Sequence, residues 1–227
     1  IDHQIVPRGS TAGIYDTEGN RIPVQALSDR SDGTYWAVWL DDVPAFGFKK
    51  FLVRPLDGGN STISKEAPAL LENKWYKIIP DYSRWTIRSW FDKELSFELV
   101  DKNSEYGMTE FILEQLGNRS QMERKTLVDF KRSPLDTIWF DSFTKAPVFN
   151  SIKFFGESET TINPKGYSFE IRLYNTEKRV EIVCSIIKKS ITDPESFYIA
   201  FPFNLKDGKH FTEVQGGIIE TGKDQIK

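Results

Sequence analysis

Alternation of apolar and polar side chains constrains the fold of this chain more than any other feature. It is clearest in YSFEIRLYNTEKRVEIVCSII at residues 167–187. The apolar side chains at every second position are Tyr167, Phe169, Ile171 and Leu173 before the turn NTEK, and Val180, Ile182, Cys184 and Ile186 after it. Because successive side chains of a strand point to opposite faces of a sheet, the pattern predicts a β-hairpin with one apolar face. Cys184 lies on that face, which favours a packed thiol over a nucleophile.

The same alternation recurs between turn residues in the rest of the chain. It predicts strands at 34–40, 75–79, 85–91, 109–115, 136–142 and 151–155. Two segments favour a helix, APALLENK at 67–74 and SQMERKTLVDFKR at 120–132, although neither carries a long apolar stripe. The sequence therefore predicts an all-β fold of antiparallel sheets.

A polar segment divides the chain into two parts. PLDGGNSTIS, which begins at residue 55, is rich in Gly, Ser and Thr, as is typical of a linker or an exposed loop. We predict a small β domain, or part of one, at 1–54, a linker at 55–66 and a longer β domain at 67–227.

Charge and composition argue against several classes of partner and site. The net charge of −3 gives no general attraction to nucleic acid, and no apolar run is long enough for a transmembrane span. The single cysteine excludes an intrachain disulfide and a cysteine-rich metal site. The two histidines, His3 and His210, lack the spacing that brings two ligands to one metal ion. The sequence therefore predicts no metal site and no cofactor in this chain.

Paired carboxylates are the remaining candidates for catalysis, because glycoside hydrolysis can run on two acids. WFDKELSFELVD contains Asp92 and Glu94, and TDPE contains Asp193 and Glu195. We interpret these acids as turn and strand-end residues, since acids at such positions commonly bind backbone amides. The sequence therefore predicts no catalytic residue.

The segment ITDPESFYIAFPFNL, which contains the second acid pair, reads as a turn followed by a strand. Its Asp-Pro step favours an extended conformation before the strand begins. Phe197, Ile199 and Phe201 are predicted to share one face, and Pro202 to limit pairing at the end of the strand. Tyr198 lies on the opposite face, and is expected to look either into a sugar cleft or into a second sheet.

Three stretches, in chain order, resemble the β-rich C-terminal region of the α-mannosidases of glycoside hydrolase family 38. DDVPAFGFKKFLV at 41–53 is similar to the strand that closes a small β domain in that family. LLENKWYKIIPDYSRWTIRSWFDKELSFELVD at 70–101 looks like the family's Leu-Glu-Asn and Asp-Lys-Glu-Leu signature. The third stretch is 191–205, preceded by VEIVCSIIKK. The turn DYSRW lacks the glycine that is usual in the family, which leaves its turn type open.

The resemblance implies a small β-sandwich followed by a galactose-mutarotase-like supersandwich that is truncated at its C-terminus. It also implies a parent enzyme whose zinc ion and aspartate nucleophile belong to an N-terminal β/α barrel, whose motifs do not occur here. We therefore expect a non-catalytic segment that supports the missing barrel and lines its sugar site. The expected carbohydrate contacts are Tyr198, Asp92 and Trp90.

Two other functions remain open. A stand-alone carbohydrate-binding module would present coplanar, exposed indoles from Trp36, Trp75, Trp85, Trp90 and Trp139. An aldose epimerase would pair a histidine with a carboxylate inside a cleft, because the mutarotase-like fold also hosts that chemistry.

Carbohydrate is the expected partner of both the α-mannosidase segment and the carbohydrate-binding module. The oligomeric state is left open. The export of polysaccharide-degrading relatives favours an extracytoplasmic location, periplasmic or secreted. NST at 60–62 and NRS at 118–120 match glycosylation acceptors.

Overall fold

Antiparallel strands make up nearly all the regular structure of residues 1, 4–56, 60–124, 129–162, 164–206 and 208–223, the part of the chain that the computed structural model describes. This confirms the predicted all-β class. The strands are β1 (Thr11–Tyr15), β2 (Arg21–Ile22), β3 (Val24–Asp29), β4 (Thr34–Val38), β5 (Leu52–Leu56), β6 (Thr62–Ser64), β7 (Leu71–Glu72), β8 (Tyr76–Asp81), β9 (Thr86–Asp92), β10 (Phe97–Glu98), β11 (Phe111–Leu116), β12 (Phe130–Ser133), β13 (Thr137–Lys145), β14 (Phe149–Glu157), β15 (Tyr167–Tyr174), β16 (Val180–Ile186), β17 (Glu195–Ile199), β18 (Phe211–Val214) and β19 (Gly217–Glu220). One short helix, α1 (Ser120–Arg124), lies between β11 and β12.

The larger part of the protein is a β-sandwich. One layer is a five-stranded sheet in the order β16-β15-β14-β13-β6. The other layer combines a four-stranded sheet, β10-β9-β8-β7, with a three-stranded sheet, β12-β11-β17. Bridges between Ile87 and Met108 and between Val100 and Phe203 join these two smaller sheets. The core lies between the layers and draws buried side chains from all three sheets.

The hairpin predicted from the alternation is confirmed as β15 and β16. The four apolar residues of β15 are all buried, and Ile171 pairs with Ile182 across the hairpin. Cys184 pairs with Phe169 and packs against the core. Burial raises the pKa of its thiol, so this cysteine is a packed hydrophobic residue, as predicted.

The six shorter strands predicted from the sequence are confirmed as β4, β8, β9, β11, β13 and β14. The helical candidate at 67–74 does not form a helix, because Leu71 pairs with Ile78 as part of β7 and is buried in the core. In the described residues of the segment 120–132, helix α1 covers Ser120–Arg124, and β12 begins at Phe130. Residues 125–128 of that segment lie outside the described residues.

The strand predicted in 191–205 is β17, which begins one residue after Pro194. Phe197 packs against the core. Phe201 does not continue that buried face, because β17 ends at Ile199 and the Phe201 ring is exposed, stacked against Phe203. The proline that follows Phe201 cannot donate to a ladder, which accounts for the end of the strand.

The N-terminal strands form two small sheets, β2-β1-β5 and β3-β4. Buried apolar side chains of this unit include Ala12, Ile14 and Val24. Between β4 and β5 runs a loop that exposes the whole ring of Phe46 and 89% of Phe48. Inside the predicted linker, β6 pairs with β13 of the large sandwich. The predicted domain limits remain a prediction.

A buried glutamine connects the two units. Gln25 of β3 is 2% exposed, and its Oε1 accepts hydrogen bonds from the backbone N–H groups of Val148, at 3.0 Å, and Phe149, at 2.8 Å. Val148 and Phe149 are themselves buried, so no solvent competes for these donors. The start of β14 is therefore fixed to the N-terminal unit through one side chain.

A tryptophan in the turn between β8 and β9 adopts a backbone conformation that glycine favours. Trp85 has a φ of 56°, in the left-handed region that side chains with a Cβ rarely adopt. Its indole contacts the rings of Tyr82 and Phe154, with centroid distances of 6.2 and 5.7 Å. Asp81 accepts the N–H groups of Ser83 and Arg84 and so stabilises the turn. Aromatic packing therefore offsets the unfavourable backbone conformation.

Candidate functional site

Asp92, an expected carbohydrate contact, lies at the end of β9 and is only 3% exposed. Its Oδ1 accepts the backbone N–H groups of Glu94 and Leu95, both at 3.0 Å. Its Oδ2 lies 2.9 Å from Nζ of Lys178, which belongs to the turn between β15 and β16. Asp92 therefore ties the β9–β10 turn to the opposite layer of the sandwich.

The electrostatics of Asp92 follow from these contacts. Burial alone would raise the pKa of its carboxyl, but the N–H of Leu95 and the ammonium of Lys178 outweigh it and lower the pKa below its ordinary value. Hydrogen bonds to Glu94 and Asp92 raise the pKa of Lys178. An acid held ionised in this way is not suited to donate a proton near neutral pH.

Trp90, the second expected contact, is half-buried in the interior of the same sheet. Its ring meets Tyr76 edge to face at 5.9 Å and Phe203 at 6.2 Å. Its Nε1 is buried without a hydrogen-bond acceptor among the described residues. The indole therefore packs against the core between these two rings.

Asn73, from the Leu-Glu-Asn stretch, also acts as an anchor. Its Oδ1 accepts the N–H groups of Trp75 and Tyr76, at 2.8 and 2.7 Å. Its Nδ2 donates to the carbonyl of Tyr174 at the end of β15, at 2.6 Å. Asn73 therefore shapes the β7–β8 turn and attaches it to the five-stranded layer.

Glu98, in the same stretch 70–101, also binds backbone groups. It accepts hydrogen bonds from the hydroxyl of Ser89 and from the N–H groups of Trp90 and Val100. Although burial acts to raise the pKa of Glu98, these donors lower it overall. Its carboxylate thus stabilises the place where β10 leaves β9.

Tyr198, the third expected contact, lies on a solvent-facing surface. It is 50% exposed and pairs with Ile112 of β11, so it does not look into the second sheet. Two positions along β17, Ser196 lies opposite Glu114, which in turn lies opposite Arg132 of β12. We call this surface, made by the outward residues of β11, β12 and β17, the outer face.

The outer face continues into a groove of about 550 Å³. Arg132 donates from Nε to Glu114, at 2.8 Å, and from Nη1 to the hydroxyl of Tyr106, at 2.7 Å. The hydrogen bond to Glu114 raises the pKa of Arg132. A groove of this volume falls within the range of small-molecule sites, about 300 to 1,000 Å³.

Glu195, the acid that the sequence places at a strand end, borders this groove. Its side chain is 5% exposed and Oε1 contacts the ammonium of Lys188, whereas Oε2 has no hydrogen-bond donor among the described residues. A signal for this burial was available in the sequence, because Glu195 shares the parity of Phe197 and so points inwards. Asp193, in contrast, is exposed.

All six tryptophan side chains are half-buried, including the five considered as a sugar-stacking platform. His210 is exposed just before β18, and His3 lies outside the described residues. Among the described residues, no three His, Cys, Asp or Glu side chains converge as metal ligands. Asp92 and Glu94 both contact the ammonium of Lys178, and a cation beside both carboxylates does not fit a zinc ion.

Comparisons with known proteins identify no family. No family model matches the chain, and no curated protein matches it. None of the helices in the described part of the chain is long and apolar enough to cross a membrane.

Proposed function

We propose that this chain is a non-catalytic, β-rich part of an α-mannosidase-like glycoside hydrolase, which supports a zinc-dependent barrel domain of the same enzyme. One observation carries the proposal. In the stretch 70–101, where the resemblance is most specific, the polar side chains of Asn73, Asp92 and Glu98 all bind backbone groups. Side chains that bind the backbone in this way stabilise the sandwich, which supports a structural role for the motif over a catalytic one.

Two further observations support a scaffold over the alternatives. A module that stacks sugars on indoles needs exposed rings, whereas Trp90 and the other tryptophans are half-buried. An epimerase needs a histidine beside a carboxylate in a cleft, whereas His210 occupies an exposed position. The zinc ion of the proposed parent enzyme finds no matching ligand set among the described residues, and we assign it to the barrel.

An activity assay tests the proposal directly. The purified chain is incubated with an aryl α-mannoside and added zinc, and release of the aryl alcohol is followed. We expect no turnover above the buffer rate. Zinc-dependent turnover by this chain alone would overturn the scaffold role.

The coding sequence that flanks this chain provides the positive test. We expect it to encode a β/α barrel with an H-x-D motif and a later histidine. Flanking sequence that encodes an unrelated, non-glycosidase domain would count against the α-mannosidase assignment while leaving the inactivity of this chain unaffected.

A further inference from the structure

We propose that the groove on the outer face binds a neutral saccharide. The inference goes beyond the scaffold role and rests on the lining of the groove. The groove lies on the sheet in which β12, β11 and β17 run side by side, and residues of all three strands line it. It is concave and large enough for a small molecule, and polar groups converge on it from three strands.

Hydrogen-bonding groups of both kinds line the groove. Glu114 and Arg132 form a charge pair across β11 and β12, and this pair supplies an acceptor beside a donor. The hydroxyls of Ser196 and Thr192 lie on the β17 side and can do both. A sugar hydroxyl donates one hydrogen bond and accepts others, so it is matched by such mixed lining.

An apolar surface completes the lining. Phe130 is 37% exposed at the groove, and the guanidinium of Arg132 lies 5.4 Å from its ring centroid. Leu116 and Met122 border the same side. The C–H face of a sugar ring packs well on such a surface, while its hydroxyls reach the charge pair.

The charge balance favours a neutral ligand over an ion. Arg132 is paired with Glu114, and Glu195, beside the floor of the groove, is paired with Lys188. A charged ligand would have to separate one of these pairs, which costs free energy in a partly buried place. A neutral ligand leaves both pairs intact. Arg119 adds one cation at the rim, so an anion is the competitor to be tested.

Nuclear magnetic resonance titration of the ¹⁵N-labelled chain tests the proposal. The probes are α-1,2-mannobiose, cellobiose and inorganic phosphate. We expect at least one disaccharide to shift the amides of Glu114, Thr192 and Ser196 in a saturable manner, with a Kd on the order of 1 mM for so open a groove. Absence of saturable shifts with both sugars, or phosphate binding there as tightly as a sugar, would overturn it.

Two pairs of matched variants localise the binding. Arg132→Ala is expected to weaken sugar binding about tenfold, because Glu114 loses its partner and the ligand loses a donor. Arg179→Ala is the control, since Arg179 also pairs with a glutamate and lies over a tyrosine, but on β15 and β16. Equal effects of the two variants would place the site elsewhere.

Should Arg132→Ala unfold the protein, Ser196→Tyr fills the groove from an exposed position, and Ser185→Tyr on β16 is its control. We expect loss of sugar binding only in Ser196→Tyr; unchanged binding would contradict the proposal. The mannoside assay is scored separately, so sugar binding and catalytic inactivity can fail independently.

Discussion

At the scale of single residues, polar side chains of this protein act mainly as anchors for turns. Asn73 and Asp92 each bind two backbone N–H groups and also reach across to the opposite layer. Each of them therefore contributes to two elements at once. Removal of one such side chain leaves several buried donors without an acceptor, which is costly.

Asp92 predicts a specific dependence of stability on pH. Its pKa in the folded protein lies below the ordinary 3.8, so its contribution is present above that value and is lost as the pH falls through the folded pKa. We expect Asp92→Asn to cost about 1–3 kcal/mol at pH 7, because ionic acceptors are the stronger ones. Urea unfolding at pH 7 and at lower pH measures the difference.

That difference between wild type and Asp92→Asn is expected to shrink as the pH drops below 3.8. Asp41→Asn, in an exposed loop, is the control and is expected to change stability little at any pH. A constant difference down to acid unfolding would mean that the charge of Asp92 is not what stabilises the turn.

At Trp85 we expect the glycine variant to be more stable than the alanine variant, the reverse of the order within a strand. Glycine and alanine both lose the contacts with Tyr82 and Phe154, but only alanine retains the cost of a Cβ at positive φ, about 1–2 kcal/mol. We therefore expect Trp85→Gly to be more stable than Trp85→Ala by about 1 kcal/mol, with both below wild type. Thermal denaturation measures the order.

Trp139, inside β13, is the control for Trp85, since glycine in a strand is less stable than alanine. The order of the two variants should therefore reverse there. The same order at both positions would show that positive φ is not the cause.

At the scale of elements, the sequence predicted those strands whose alternation was long enough to show. β15 buries alternate side chains over its eight residues, β14 does so from Ile152 onwards, and both strands were predicted. The two-residue strand β7 was mistaken for helix, because Leu71 is fixed by its pairing with β8 and not by a local pattern. Periodicity therefore finds elements that carry their own signal and misses those that depend on a neighbour.

In the candidate site too, the local pattern predicted which face a residue lies on but not which strands lie beside it. Tyr198 was assigned correctly to the face opposite Phe197, since parity alone decides it. Its position on one sheet with Glu114 and Arg132 could not be predicted, because β17 lies far along the chain from β11 and β12. Asp92 and Trp90 were predicted with Tyr198 as sugar contacts, and that role stays a prediction. The structure places Asp92 at the end of β9, 3% exposed, and Trp90 half-buried against the core.

The long strands predict where the stability of the sandwich resides. Ile171 of β15 is 1% exposed, so Ile171→Ala is expected to cost about 2–5 kcal/mol by leaving a cavity. Ile63→Ala on β6 is the matched control, because that side chain is 67% exposed and should lose less than about 0.5 kcal/mol. Chemical denaturation gives both values, and similar losses would contradict the assigned core.

At the scale of the whole molecule, Gln25 couples the N-terminal sheets to the large sandwich. Gln25→Ala would leave the N–H groups of Val148 and Phe149 without an acceptor in a buried place, at a cost of about 1–3 kcal/mol. We expect faster hydrogen exchange at these two amides, measured by nuclear magnetic resonance. Gln215→Ala, in the exposed turn between β18 and β19, is the control.

Exchange that stays slow at Val148 and Phe149 in Gln25→Ala would show that other contacts hold the two units together. Fast exchange confined to the start of β14 would instead identify Gln25 as the joint.

The loop between β4 and β5 affects how the folded protein is treated by other macromolecules. Phe46 and Phe48 present their rings almost entirely to water, from a backbone whose φ at Phe46 is 57°. Chaperones and proteases recognise unfolded chains by exposed apolar side chains of this kind. This loop of the native protein therefore presents the same kind of surface as an unfolded segment. A partner that covered the two rings would keep chaperones and proteases from binding there.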